Sequence, residues 1–169
     1  MDSIREIKRI LILLSIFVLG LIATCSAYKE PIYVNADEFS IGGISIGSSK
    51  EYVQQIYGEP TMTSTRQSKA WGRVVVWTYG TTFQIEFSMN GNGVYTAHYI
   101  KTMGNNGLKT PSGFTVGTPL WKVDDKYGNA LTYSIHKDRY QIADSWEKGM
   151  WFTTDSKGTI TSIEVFLVP

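Results

Sequence analysis

Residues 82–90 read TFQIEFSMN, and apolar and polar positions alternate through them. Phe83, Ile85, Phe87 and Met89 fall on one side, and Gln84, Glu86 and Ser88 on the other. A period of two predicts a strand with one buried face. WGRVVVWTY, residues 71–79, is β-branched and aromatic, and Gly80 separates the two runs as a hairpin turn would. NGNG, residues 90–93, is a further turn signal and leads into a third strand, VYTAHYIKT, residues 94–102. The pattern returns later. LTYSIH (131–136) and RYQIADSW (139–146) flank Lys137-Asp138, and a turn at residues 147–149 precedes MWFTT (150–154). DSKG (155–158) then turns the chain into a closing strand, TITSIEVFLV (159–168).

Ahead of each strand group stands the same phrase. Residues 43–60 read GISIGSSKEYVQQIYGEP and residues 113–130 read GFTVGTPLWKVDDKYGNA. At an offset of 70, Gly43/Gly113, Gly47/Gly117, Val53/Val123, Tyr57/Tyr127 and Gly58/Gly128 are identical. The phrase predicts a short helix. Ser48 is a suitable N-cap with Glu51 three residues on, and Thr118 with Pro119 opens the second copy. Val and Tyr four apart share one helix face, and a glycine follows where a left-handed residue ends a helix. Helices of two to three turns are marginal alone and need a surface to pack on. The repeated Tyr is therefore expected to be a core-facing anchor.

The expected fold class is α+β: two tandem repeats, each a short helix packed on a three- to four-stranded antiparallel sheet. Repeat 1 spans residues 43–102 and repeat 2 residues 113–169, joined by a Gly-, Asn- and Pro-rich linker at 103–112. Residues 28–42 form a leader or an added edge strand. From Phe87–Gly93 to Phe152–Gly158 the offset is 65, so the second copy is five residues shorter between its helix and its last hairpin.

The first copy resembles the G-x(5)-V-x(4)-G-x-P phrase of the SmpA/OmlA-type outer-membrane lipoprotein domain, through Gly47, Val53, Gly58 and Pro60. In the second copy Ala130 stands where that phrase has Pro. The two-copy layout is similar to the β-lactamase inhibitory protein fold, here without disulfides. The resemblance implies an exported, non-catalytic module that binds other macromolecules.

The first 27 residues fit that implication. Arg5, Lys8 and Arg9 precede an almost wholly apolar run at 10–22, and small residues surround Ala27. This is the layout of a secretory signal peptide cleaved after Ala27. The alternatives are an uncleaved N-terminal anchor and lipidation at Cys25, since LIATC resembles a bacterial lipobox. Beyond residue 27 there is no cysteine, so an exported domain must be held by its core. The chain carries 16 basic and 15 acidic residues, three basic and two acidic of them in this leader, so the remainder is neutral. A neutral domain lacks the field that steers nucleic acid. Membrane contact is expected only through the N-terminus.

No catalytic constellation is visible. The two histidines, His98 and His136, stand apart from any His, Cys or spaced carboxylate. His98 reads as a half-buried strand residue and His136 as solvated. Asp124 and Asp125 are adjacent on a helix and point about 100° apart, so they read as a solvated face. DSKG lacks the further oxygen ligands of a calcium loop. No metal, no cofactor and no enzyme activity are expected. The aromatic content is 13%. Trp77 and Tyr79 share one face of their strand, with Val74 and Val76 on the other; Trp151 opposes Met150 and Phe152. If the Val and Met/Phe sets face the helices, Trp77, Tyr79 and Trp151 emerge on the open face, where such rings anchor partners. Otherwise they form the core between the repeats. The expected partner is a protein in the envelope or extracellular space, with cell-wall glycan as the alternative.

Overall fold

In a computed structural model the chain divides into two units, Met1–Glu30 and Pro31–Pro169. The structure describes residues 33–128, 134–136, 139–144 and 147–168, all within the second unit. The expected signal peptide, Cys25 and Trp146 lie outside the described residues, as do the side chains of residues 134–136, His136 included.

A 3-10 turn at Ala36–Glu38 opens the described chain. The hairpin β1 (Ser40–Ile41) and β2 (Ile44–Ser45) leads to α1 (Lys50–Tyr57), followed by four strands: β3 (Met62–Ser68), β4 (Gly72–Tyr79), β5 (Phe83–Met89) and β6 (Tyr95–Thr102). α2 (Trp121–Tyr127) is followed by four more: β7 (Ser134–His136), β8 (Arg139–Asp144), β9 (Lys148–Thr154) and β10 (Ile160–Leu167). The α+β expectation holds in this broad form. The separate sheets do not: all eight strands β3–β10 form one antiparallel sheet in the order β3-β4-β5-β6-β10-β9-β8-β7. The two meanders meet edge to edge, because β10 pairs with β6 over Ile163–Phe166 and Tyr99–Thr102. β3 lay outside the strands read from the pattern, since MTSTRQS neither alternates nor carries an apolar face.

Register places two apolar rows on one face. Trp77, Ile85, Ile100, Val165, Met150 and Ile142 stand opposite one another across six strands. Phe83, Thr102, Ile163, Phe152 and Tyr140 form the neighbouring row. Val53 of α1, Val123 and Tyr127 of α2, and Phe39, Ile41, Ile44 and Phe114 join the same cluster. Both helices and the β1–β2 hairpin therefore cover this face. Fully burying each such side chain contributes about 1.5–3 kcal/mol, which short helices lack on their own.

The loops before the helices are tied to the sheet by matching bonds. Gly47 N–H donates to Ala97 O at 2.8 Å, and Gly117 N–H to Ile160 O at 2.8 Å. Ala97 and Ile160 in turn donate to Ser48 O and Thr118 O. Both glycines sit at positive φ, +91° and +94°, where a side chain is strained. The anchoring expectation for the repeated Tyr agrees with the packing: the Tyr57 ring lies 5.2 Å from Phe83, and Tyr127 5.8 Å from Phe114. Tyr57 donates to Gly42 O at 2.6 Å, and the Tyr127 hydroxyl lies 2.8 Å from Ser112 Oγ, at the corresponding place.

The caps differ from expectation. Ser49, not Ser48, caps α1 by accepting from Tyr52 N–H. The Ser48 hydroxyl accepts from Ser45 N–H, and that of Thr118 from Thr115 N–H, so both brace the preceding loop. α2 has Leu120 at its N-cap without a side-chain bond. Gly58 ends α1 at φ +73°, as read, whereas Gly128 keeps helical angles.

Candidate functional site

The sheet has a second face, and neither helix lies on it. Two cross-strand rows define it. One runs Gln141, Trp151, Glu164, Lys101 and Gln84. The other runs Gly149, Phe166, Tyr99, Glu86 and Val76. This is the candidate site, because charged and aromatic groups here are paired with one another and partly accessible.

Two carboxylates are buried on it. Glu164 is 5% exposed; its Oε1 lies 3.0 Å from Lys101 Nζ, and its Oε2 accepts from the Tyr99 hydroxyl at 2.9 Å. Burial first, then the charge and hydrogen bond of Glu164, push the Tyr99 phenol far above its ordinary range. Glu86, 8% exposed, is paired with Arg66, which reaches across β4 from the edge strand. Burial opposes ionisation of Glu86, but the His98 and Arg66 side chains outweigh it and hold the carboxyl below its usual value.

His98 enters through a β-bulge. Glu86 pairs with Tyr99 and Phe87 with Ala97, so His98 is the extra residue of β6. Its Nε2 lies 3.6 Å from Glu86 Oε2, and its buried Nδ1 has no hydrogen-bond partner among the described residues. Trp71, from the β3–β4 turn, folds over it with ring centroids 4.7 Å apart. The turn thus closes over the face it borders.

At the other end is an aromatic stack. Trp151 lies 4.4 Å from Phe166, and the Arg139 guanidinium sits 4.8 Å from the Trp151 centroid. The Phe166 ring packs on Gly149, where a Cβ would come within 2.3 Å of it, so any larger residue there would displace the ring.

The three rings singled out from sequence do not share a surface. Trp151 emerges on the uncovered face, as expected. Trp77 and Tyr79 point to the helix side, because Val75, not Val74 and Val76, belongs to the core cluster under the helices. Trp77 is 6% exposed, set edge-on to Phe87 at 5.0 Å with Lys50 Nζ 4.7 Å above it. Tyr79 donates to Gly58 O at 3.1 Å, at the end of α1. Period-two alternation sorts residues into two sets but does not say which set faces the helices. His98, Trp71, Arg66 and Glu86 were missed as a group, because a bulge and a folded turn bring them together. Among the described residues no three His, Cys, Asp or Glu side chains are grouped so as to hold a metal ion.

No family model matches the chain, and no curated protein matches it. Among solved structures, the chain is similar to an extracellular protein containing a SCP domain from Bacillus anthracis. The TM-score is 0.51 and the identity 14%, over 82% of this chain and 49% of that one. The chain thus spans about half the length of that protein. A DUF4309 family protein, YjgB, from Bacillus subtilis matches with a TM-score of 0.41 and 15% identity over 75% of this chain and 83% of its own. The likeness to the Bacillus anthracis protein is one of fold.

Proposed function

We propose that this chain is an exported, non-catalytic binding module, and that the uncovered sheet face contacts a protein of the cell envelope or extracellular space. The observation that supports it most is the one-sided cover of the sheet. Both helices and the β1–β2 hairpin pack on one face, while the other carries Trp71, Arg66, Tyr99, Lys101, Arg139 and Trp151 in fixed positions. Ordered aromatic and Arg side chains are the residue types that anchor protein partners. Export is supported by the basic-then-apolar pattern of residues 5–22 and by the extracellular description of the Bacillus anthracis protein.

The module is read as a duplicated helix-plus-meander unit. Support comes from bonds that recur at sequence-equivalent places: Gly47 and Gly117 to the last strand of each meander, and Ser48 and Thr118 to the loop before them. Asn90 and Asp155 recur likewise, each accepting two turn N–H groups, from Asn92 and Val94 and from Lys157 and Thr159.

The test is photo-crosslinking in the cell that makes the protein. A crosslinking residue replacing Gln141, beside Trp151, is expected to capture a protein partner, and one replacing Trp121, 64% exposed on α2, is not. Arg139→Ala with Trp151→Ala should abolish the first adduct while circular dichroism stays unchanged. Capture only from position 121 would overturn the proposal; retention on cell-wall glycan without a protein adduct would replace the partner class. A lipid-modified Cys25 in the mature protein would favour an envelope-anchored subunit.

A further inference from the structure

We propose that β3 is a self-association edge, pairing antiparallel with β3 of a second copy about a two-fold axis at Thr65. β3 is an end strand of the sheet, and among the described residues no strand pairs with its outer side. It is seven residues long, and Met62 through Gln67 are exposed. Sheet edges are ordinarily protected by Pro, charged side chains, bulges or shortness. β3 has no Pro, Lys or bulge, its register with β4 running unbroken from Met62↔Thr78 to Ser68↔Gly72, and its one charge, Arg66, is paired with Glu86 of its own sheet. The opposite edge, β7, has only three residues.

The sequence of β3 selects the partner. A two-fold at Thr65 sets Thr65 against its own copy, Ser64 against Arg66, Thr63 against Gln67 and Met62 against Ser68. All seven residues pair, and Thr–Thr at the centre is a favourable cross-strand pair. Moving the axis to Arg66 sets guanidinium against guanidinium, and moving it to Ser64 leaves only five pairs. With the axis at Thr65 the two Arg66 side chains are diagonal neighbours, each already paired with its own Glu86. Opposed residues in an antiparallel pair point to the same side, so both helix layers lie on one side and both uncovered faces on the other. The molecule already uses this joint internally, between β6 and β10, with four residue pairs. The interface is small, so association is weak and concentration-dependent. It also makes the uncovered face bivalent, which raises avidity for any repeated partner.

Disulfide trapping of the full chain, in a Cys25→Ser background, tests both the pairing and its register. Thr65→Cys is expected to give a covalent dimer on a non-reducing gel under mild oxidation. Thr63→Cys and Gln67→Cys should each stay monomeric alone and cross-link when mixed. As a second measurement, Thr65→Lys and Thr65→Glu should each sediment as monomers, and their mixture as a dimer. These positions are exposed, and circular dichroism checks that each variant folds. A monomeric Thr65→Cys protein, equal trapping at all three positions, or a wild-type chain that stays monomeric at high micromolar concentration would overturn the proposal.

Discussion

The two halves of the sheet are alike on one face and unlike on the other. Phe87 and Phe152 occupy equivalent places under the helices and are both fully buried. One residue earlier, on the uncovered face, the first half has Glu86 and the second has Trp151. The helix-side residues answer to packing, which admits few substitutes at native density. Among the described residues the other face answers mainly to local pairing. It has a polar end, where Arg66 and His98 meet Glu86, and an aromatic end, Phe166–Trp151–Arg139. Where the halves agree, the chain is holding itself together; they differ on the face proposed above to meet a partner.

The largest effects should come from the shared face. Phe87→Ala and Phe152→Ala are each expected to lower stability by about 3–5 kcal/mol. Because both strands belong to one sheet, urea unfolding followed by circular dichroism and by Trp fluorescence should show one coincident transition for each variant. Two separated transitions would break the picture of a single cooperative sheet. Gly47→Ala and Gly117→Ala should follow, each costing about 1–3 kcal/mol through strain at positive φ, and by similar amounts. A large inequality would show that the matching bonds to Ala97 and Ile160 do not carry matching loads.

The caps should separate the halves. Ser49→Ala removes the acceptor of Tyr52 N–H and is expected to cost about 1 kcal/mol, with faster amide exchange in the first turn of α1. No side chain caps α2, so no single truncation there should reproduce the effect.

The smallest effect is expected from pH. Glu86 has a folded-state pKa below its unfolded value, so its contribution to stability is present above the usual 4.5 and is lost as pH falls through the lower folded value. Acid titration of the urea midpoint should therefore fall less steeply below pH 4.5 in Glu86→Gln than in the wild type.

Much of this fold was legible. Helical spacing of Val53 with Tyr57 and of Val123 with Tyr127, followed by glycine, identified both helices to within a residue or two. Alternation placed Phe83, Ile85 and Phe87 on one face correctly. Ser48 and Ser49 are both competent caps, and the choice between them follows from the bridge of Ser49 to Thr96, which is long-range. Sequence left open whether Trp77 and Tyr79 face the helices, because three consecutive valines, Val74–Val75–Val76, are buried on both faces and erase the contrast that alternation needs. The site was legible only through Trp151. A bulge at His98 and a turn that folds Trp71 back over the sheet have no period for a reader of sequence to detect.

The seam between β6 and β10 has a kinetic consequence. It lies at the middle of the sheet, yet it joins residues far apart along the chain; Tyr99 and Glu164 are separated by 65 positions. Each meander can form from local hairpins, whereas the seam must bring the last strands of both together across the whole second half. Closing that joint is expected to be the slow, entropically costly event in folding, and a chain truncated before β10 would expose β6 as a bare edge.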